Sequence, residues 1–202
     1  MSNPGKVGGI VLCGGMSRRM GKPKAWLPFG GETMLARVCR ILREVVDPIV
    51  VVAAPEQEVP PLPSEIAIVR DDAQAQGPLN GLVGGLTALE GRAEAAYLSS
   101  CDVPFLRPEF VRAVIAFLDG YDIAVPEVDG YQHPLAAAYR LGVRPIADAL
   151  LAARQRRPVL LFDQAKTRRI TAEELRFADP EFASLRNLNT PEEYEAALRT
   201  PI

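Results

Sequence analysis

Short apolar runs recur along the chain, separated by stretches long enough to hold a helix. Residues 10–13 (IVLC), 49–54 (IVVVAA), 66–69 (IAIV), 96–101 (AYLSSC) and 122–126 (DIAVP) are apolar and partly β-branched, the pattern of strands covered on both faces. Between the first two, TMLARVCRILREVV places Met34, Leu35, Val38, Ile41, Leu42, Val45 and Val46 on one helical stripe, which Pro48 stops. That is one βαβ unit. LNGLVGGLTALEG (79–91) and PEFVRAVIAFLDG (108–120) predict two further helices, the second opening with proline and closing with glycine. Each precedes a strand, so the pattern predicts an α/β fold on a parallel or mostly parallel sheet.

The last quarter is less regular. LAAAYR (135–140) is compatible with a strand, IADALLAA (146–153) with a helix, and PEEYEAALR (191–199) with a terminal helix capped by Thr190, with Glu193 completing a capping box. The proline-rich EVPPLPSE (58–65) is short and flanked by strands, which makes it a surface connection within one domain. No internal repeat is evident, and residues 1–202 are expected to form one domain.

Charge and cysteine content narrow the function classes. With 23 basic against 25 acidic residues, the chain has no excess of positive charge for general nucleic-acid or membrane-surface binding. Cysteines at 13, 39 and 101 show no CxxC spacing, so neither a disulfide framework nor a thiolate metal site is expected. The start, MSNPGKVGGIVLCGG, lacks a signal-peptide pattern, and no run of 18 apolar residues occurs, so a soluble cytoplasmic protein is expected.

Against that near-neutral background, CGGMSRRMGKPK (13–24) concentrates four cations and three glycines where the first strand ends. It is not a P-loop: five residues separate Gly15 from Gly21, and Pro23 stands where a magnesium-binding hydroxyl is required. The GxGxxG dinucleotide fingerprint is absent as well. The shared physics remains: glycines admit a polyphosphate to backbone N–H groups, and Arg18, Arg19, Lys22 and Lys24 neutralise it. A solvated basic loop that uses its glycines for turning accounts for the same residues.

Two further stretches carry chemistry. In SSCDVP (99–104), Asp102 follows an apolar strand, at the edge where open α/β sheets bind ligands, and a hard carboxylate there suits magnesium. It is also a good turn residue before Pro104. In RDDAQAQGPLNGLVGG (70–85), Asp71 and Asp72 are placed to bond a ribose or base or to lie exposed. Gly77, Gly81, Gly84 and Gly85 disfavour a helix unless something approaches its backbone, whether a ligand or a packed neighbour.

LCGGMSRRMGKPK, DD with GPLNG, CDVP, His133-Pro134 and NLNTPEEY occur in this order through nearly the whole chain. Together they resemble the molybdenum cofactor guanylyltransferase family, within the nucleotidyltransferases of nucleotide-sugar-pyrophosphorylase type. The resemblance implies a three-layer α/β/α sandwich with a Rossmann-like, mostly parallel sheet. The N-terminal half would bind GTP and Mg2+, and the C-terminal half molybdopterin. Carried over residue by residue, Leu12, Cys13, Gly14 and Gly15 would meet the nucleotide through the backbone, with Asp71 and Gly77 beside it. Arg19, Lys24 and Asp102 would form the catalytic set, with Asp102 as the metal ligand. His133, Arg156, Asn187 and Asn189 would line the pterin side; ordinary hydrogen-bonding, solvated-helix-end and turn-capping roles are their alternatives.

The implied reaction transfers GMP from GTP to the terminal phosphate of molybdopterin and releases pyrophosphate. Implied partners are GTP, molybdopterin, other cofactor-biosynthesis proteins and acceptor molybdoenzymes, with no nucleic acid and no membrane. Cytidylyl transfer to the same cofactor, nucleotidyl transfer to another phosphorylated small molecule, and a non-catalytic nucleotide carrier are the competing functions. One position departs from the family: Ala53 stands at the end of strand two where asparagine is usual. An asparagine restored there is expected to tighten GTP binding.

Overall fold

The computed structural model describes residues 5–13, 23–71 and 77–200. Its strands in chain order are β1 (Val7–Leu12), β2 (Pro28–Phe29), β3 (Glu32–Thr33), β4 (Ile49–Ala53), β5 (Ala67–Arg70), β6 (Ala95–Ser100), β7 (Ile123–Val128), β8 (Tyr131–Gln132), β9 (Ala137–Arg140) and β10 (Thr167–Thr171). The helices are α1 (Met34–Arg43), α2 (Pro78–Ala88), α3 (Pro108–Ala116), α4 (Arg144–Ala152), α5 (Ala172–Leu175) and α6 (Pro191–Leu198).

The main sheet runs β10-β7-β9-β6-β1-β4-β5, with β8 paired to β7. β5, β4, β1 and β6 are mutually parallel. β4 and β6 are buried along their whole length, whereas β5, expected to be covered on both faces, lies at the sheet edge and leaves Ile68 exposed. LAAAYR divides: Pro134–Ala136 form a 3-10 turn and only Ala137–Arg140 form β9, which is antiparallel to both β6 and β7. β10 returns parallel to β7, and β8 folds back on β7 through Asp129 and Gly130, both at positive φ, the pair a two-residue hairpin turn favours.

Two apolar layers cover the sheet. On one face Leu35, Val38 and Leu42 of α1 and Phe110, Val111 and Val114 of α3 pack with Val11, Val51 and Tyr97. On the other, Leu79, Leu82 and Leu86 of α2 and Ala147 and Leu150 of α4 pack with Ile10, Val50 and Leu98. The three-layer α/β/α expectation holds. Close helix packing, the alternative to a ligand, explains two of the α2 glycines: a Cβ on Gly81 would lie 2.8 Å from Leu12 Cδ2, and one on Gly85 2.6 Å from Ile10 Cγ2. Gly84 has room, with only Val52 Cγ1 at 3.9 Å.

A third apolar cluster ties the C-terminus to the segment after residue 23. Leu188 and Ala197 are buried with Leu27, Phe29 and Met34, flanked by Phe105 and Tyr194. The expected capping box forms at the start of α6, where the Thr190 side chain accepts the Glu193 N–H and Glu193 accepts the Thr190 N–H. Among the described residues no helix is long and apolar enough to cross a membrane.

Candidate active site

The chain runs from β1 outward to β4 and β5, then crosses by α2 to β6 on the other flank of β1. The strand order therefore reverses between β1 and β6, and the crevice beyond their carboxyl ends is where such sheets bind ligands. Leu12 and Ser100 are register partners at this point. Past them, the Cys101 N–H donates to Leu12 O at 3.0 Å, the Cys13 N–H to Val52 O at 2.8 Å and the Asp71 N–H to Ala53 O at 2.8 Å. Leu12, Cys13, Asp71 and Asp102, expected to act together, are thus gathered on one sheet edge.

Asp102 is buried at 8% exposure, and both of its carboxylate oxygens are engaged. Oδ1 accepts from Ser100 Oγ at 2.6 Å and from Asn187 Nδ2 at 2.7 Å. Oδ2 lies 2.6 Å from Lys24 Nζ, which also donates to Asn189 Oδ1 at 2.9 Å. A buried carboxylate tolerates its burial only when it is hydrogen-bonded and paired, and here it is both.

Leu188 explains how the two asparagines reach opposite ends of that pair. Its side chain is fully buried in the third cluster, and its N–H donates to Asp102 O at 3.0 Å. With Leu188 anchored, the residue before it, Asn187, bonds Asp102 and the residue after it, Asn189, bonds Lys24. Asn187 and Asn189, expected on the pterin side, bond the Asp102 carboxylate and the Lys24 ammonium. Ser100 carries no motif of its own, and only the fold brings it to Asp102.

At the β1 end, Gln57 provides the side-chain amide that Ala53 lacks. Gln57 Nε2 donates to Cys13 O at 2.7 Å and lies 3.3 Å from Cys13 Sγ, while Oε1 accepts the Ala54 N–H at 3.3 Å. Arg70 then donates to Gln57 O at 2.6 Å and Ala54 O at 3.1 Å. Ala53 is 1% exposed and lies in the first apolar cluster. An asparagine at 53 would carry its amide into the core rather than the crevice, so the tighter GTP binding expected of it does not follow.

The three cysteines are free and buried. Cys13 and Cys101 share a hydrogen bond that lowers the Cys13 pKa and pushes Cys101 well up, while burial pushes Cys39 up to about 12. They are packing residues beneath the crevice.

The Asp71 carboxylate is held by Asn80 Nδ2 in the first turn of α2. Gly77, at φ 123°, precedes that helix and runs against the backbone of Arg156: an added Cβ would sit 3.1 Å from Arg156 O, which also accepts the Leu79 N–H at 3.3 Å. The Arg156 side chain is exposed. His133 lies further along the edge, where its N–H donates to Pro126 O at 2.9 Å. Burial lowers the imidazole pKa, opposed by a bond to the Val128 backbone and by the Asp129 charge. The expected contributions of Gly14, Gly15 and Arg19, like those weighed for Arg18, Lys22 and Asp72, fall outside the described residues.

Among the described residues no group of three or more His, Cys, Asp or Glu side chains is arranged to hold a metal. Asp102 offers a hard carboxylate at the edge beside Lys24, while the Asp71 carboxylate there is held by Asn80. One such ligand, completed by phosphate oxygens and water, is how magnesium is commonly held, so the residues fit a divalent cation that arrives with a phosphate.

A parallel-sheet switch point at which a lysine and a carboxylate meet defines an α/β protein of the nucleotide-handling type. The chain belongs to the MobA-like NTP transferase domain family, which matches residues 9–169. It is 37% identical over 98% of its length, and 96% of the relative's, to a probable molybdenum cofactor guanylyltransferase of Mycobacterium avium. The crystal structure of molybdopterin-guanine dinucleotide biosynthesis protein A from Archaeoglobus fulgidus superposes with a TM-score of 0.77 at 22% identity, covering 94% of this chain and 96% of that one. Rv0371c of Mycobacterium tuberculosis in complex with manganese superposes at 0.63 and 16% identity, covering 97% of this chain and 100% of that one.

Proposed function

We propose that this chain is a molybdenum cofactor guanylyltransferase, joining GMP from GTP to the terminal phosphate of molybdopterin and releasing pyrophosphate. The observation that carries the reading is the Lys24–Asp102 pair, closed by Asn187 and Asn189 at the switch point. Near-full-length identity to a relative bearing that name supports it.

In this reading the backbone of Leu12, Cys13, Gly14 and Gly15, with Asp71 and Gly77, holds the nucleotide, and the C-terminal half receives molybdopterin beside His133, Arg156, Asn187 and Asn189. Arg19 and Lys24 neutralise the triphosphate. Asp102 and phosphate oxygens would hold a divalent cation, magnesium in this reading, whose charge helps neutralise the phosphates. That a neighbour of the same fold is a manganese complex supports the use of a divalent ion.

The reaction requires no Ser-His-Asp arrangement. A phosphate monoester has a second pKa near 6, so its oxygen is already a nucleophile at neutral pH and needs no protein base. An oxygen–phosphorus bond forms to the α-phosphorus of GTP as the bond to pyrophosphate breaks in line. The protein's task is positioning and charge stabilisation. Free thiols at Cys13, Cys39 and Cys101 support a reducing compartment, the cytoplasm.

The test is pyrophosphate release from GTP, CTP or ATP with molybdopterin and Mg2+. Release dependent on GTP and molybdopterin supports the reading; preference for CTP moves the chain to cytidylyl transfer; nucleotide binding without release leaves a carrier.

A further inference from the structure

Lys24 Nζ does not point to open solvent from its turn. It lies 2.6 Å from Asp102 Oδ2, with both side chains largely buried, at 17% and 11% exposure. The other carboxylate oxygen is committed to Ser100 and Asn187. Oδ2 is therefore the edge through which Asp102 can meet a metal, and the lysine sits on that edge. We infer that the Lys24 ammonium is a place-holder cation: it competes with the divalent metal for Asp102 Oδ2, and nucleotide phosphate, by drawing the ammonium away, opens that oxygen to the metal. This rests on the proposal that Asp102 is the metal ligand.

Three features of the site support the exchange. An ammonium is a compact point charge on a flexible stem, able to swing between two anions, unlike a planar guanidinium locked in a fork. Asn189 Oδ1 gives Nζ a neutral second partner at 2.9 Å, so the ammonium keeps one bond as it leaves the carboxylate. Ser100 and Asn187 hold Oδ1 independently of Lys24, so the carboxylate need not turn when its cation changes. The energetic logic is reciprocal: if phosphate draws Lys24 off Oδ2, GTP tightens the metal, and the metal tightens GTP by the same factor.

A lysine that merely helps bind nucleotide and a lysine that competes with the metal predict opposite results when it is removed. Mn2+ binding to the full chain at pH 8 is followed by electron paramagnetic resonance, with and without GTP, for wild type, Lys24→Met, Asp102→Asn and the double variant. Near-ultraviolet circular dichroism checks the fold, and Lys24→Gln serves if Lys24→Met does not fold.

Without GTP, Lys24→Met should bind Mn2+ at least ~10-fold more tightly than wild type, because a full positive charge close to the ligand oxygen has been removed. The gain should vanish in the double variant, and the enhancement of Mn2+ binding by GTP should shrink in Lys24→Met. If Asp102→Asn loses Mn2+ binding but Lys24→Met binds Mn2+ no better than wild type, the place-holder role is overturned and the ligand assignment stands. If Asp102→Asn keeps wild-type, GTP-dependent Mn2+ binding, the ligand assignment itself fails.

Discussion

Asn187 Nδ2 donates to Asp102 Oδ1 at 2.7 Å across 85 residues of sequence, joining the C-terminal NLN segment to the carboxyl end of β6. The bond makes the last quarter of the chain part of the sheet edge that holds Asp102. Asn187→Ala should lower kcat by roughly 10-fold or more through loss of Asp102 alignment. Its effect on KM for molybdopterin should be smaller. A change confined to that KM would instead support a direct pterin contact.

Leu188 is the residue that turns Asn187 and Asn189 toward their partners. Leu188→Ala removes a fully buried side chain from a small cluster and should cost about 2–5 kcal/mol in urea unfolding. Activity should fall below wild type even where the variant is fully folded, since both asparagines lose their register. Unchanged activity in the folded variant would mean that Leu188 contributes packing alone.

The α2 glycines separate cleanly. Gly85→Ala drives a methyl to within 2.6 Å of Ile10 and should destabilise the protein by about 1–3 kcal/mol despite the better helix former. Gly84→Ala meets nothing nearer than 3.9 Å and should stabilise by up to about 1 kcal/mol. Thermal unfolding of the two variants side by side decides whether packing, rather than ligand approach, accounts for Gly85.

Gln57 and Ala53 make an opposed pair. Gln57→Ala removes the amide that fixes the Cys13 backbone against Ala54 and should weaken GTP binding by loosening that backbone, read as a smaller thermal shift at fixed GTP and Mg2+. Ala53→Asn puts an amide into the apolar cluster and should cost about 1–3 kcal/mol with no gain in GTP affinity. Tighter GTP binding by Ala53→Asn would show that the crevice accepts a side chain at that position.

Much of this architecture was legible before the structure. The parallel strands β1, β4, β5 and β6 are built on short apolar runs, and α1, α3 and α6 carry stripes, prolines or caps that announce them. β10 escaped notice because Thr167, Arg168 and Arg169 are polar and only Ile170 is buried, as an edge strand allows. Arg37 was absent from the α1 stripe, yet it is buried with Nε donating to Pro104 O at 2.7 Å. The ends of β1 and β6 and the resemblance pointed to Cys13, Lys24 and Asp102. Ser100, Gln57 and Asn80 were invisible as site residues, because each is a common polar side chain whose role depends on a partner brought near by folding.

The account rests on Asp102 as the anion around which nucleotidyl transfer is organised. Asp102→Asn is nearly isosteric and keeps a group able to bond Ser100, so the fold should survive. The most direct measurement is the initial rate of pyrophosphate release from GTP, molybdopterin and Mg2+ for wild type and Asp102→Asn, with circular dichroism confirming equal folding. Wild type should release pyrophosphate in a GTP-dependent manner, and the variant should lose more than ~100-fold in kcat. Release by Asp102→Asn at near the wild-type rate, with the same magnesium dependence, would contradict it.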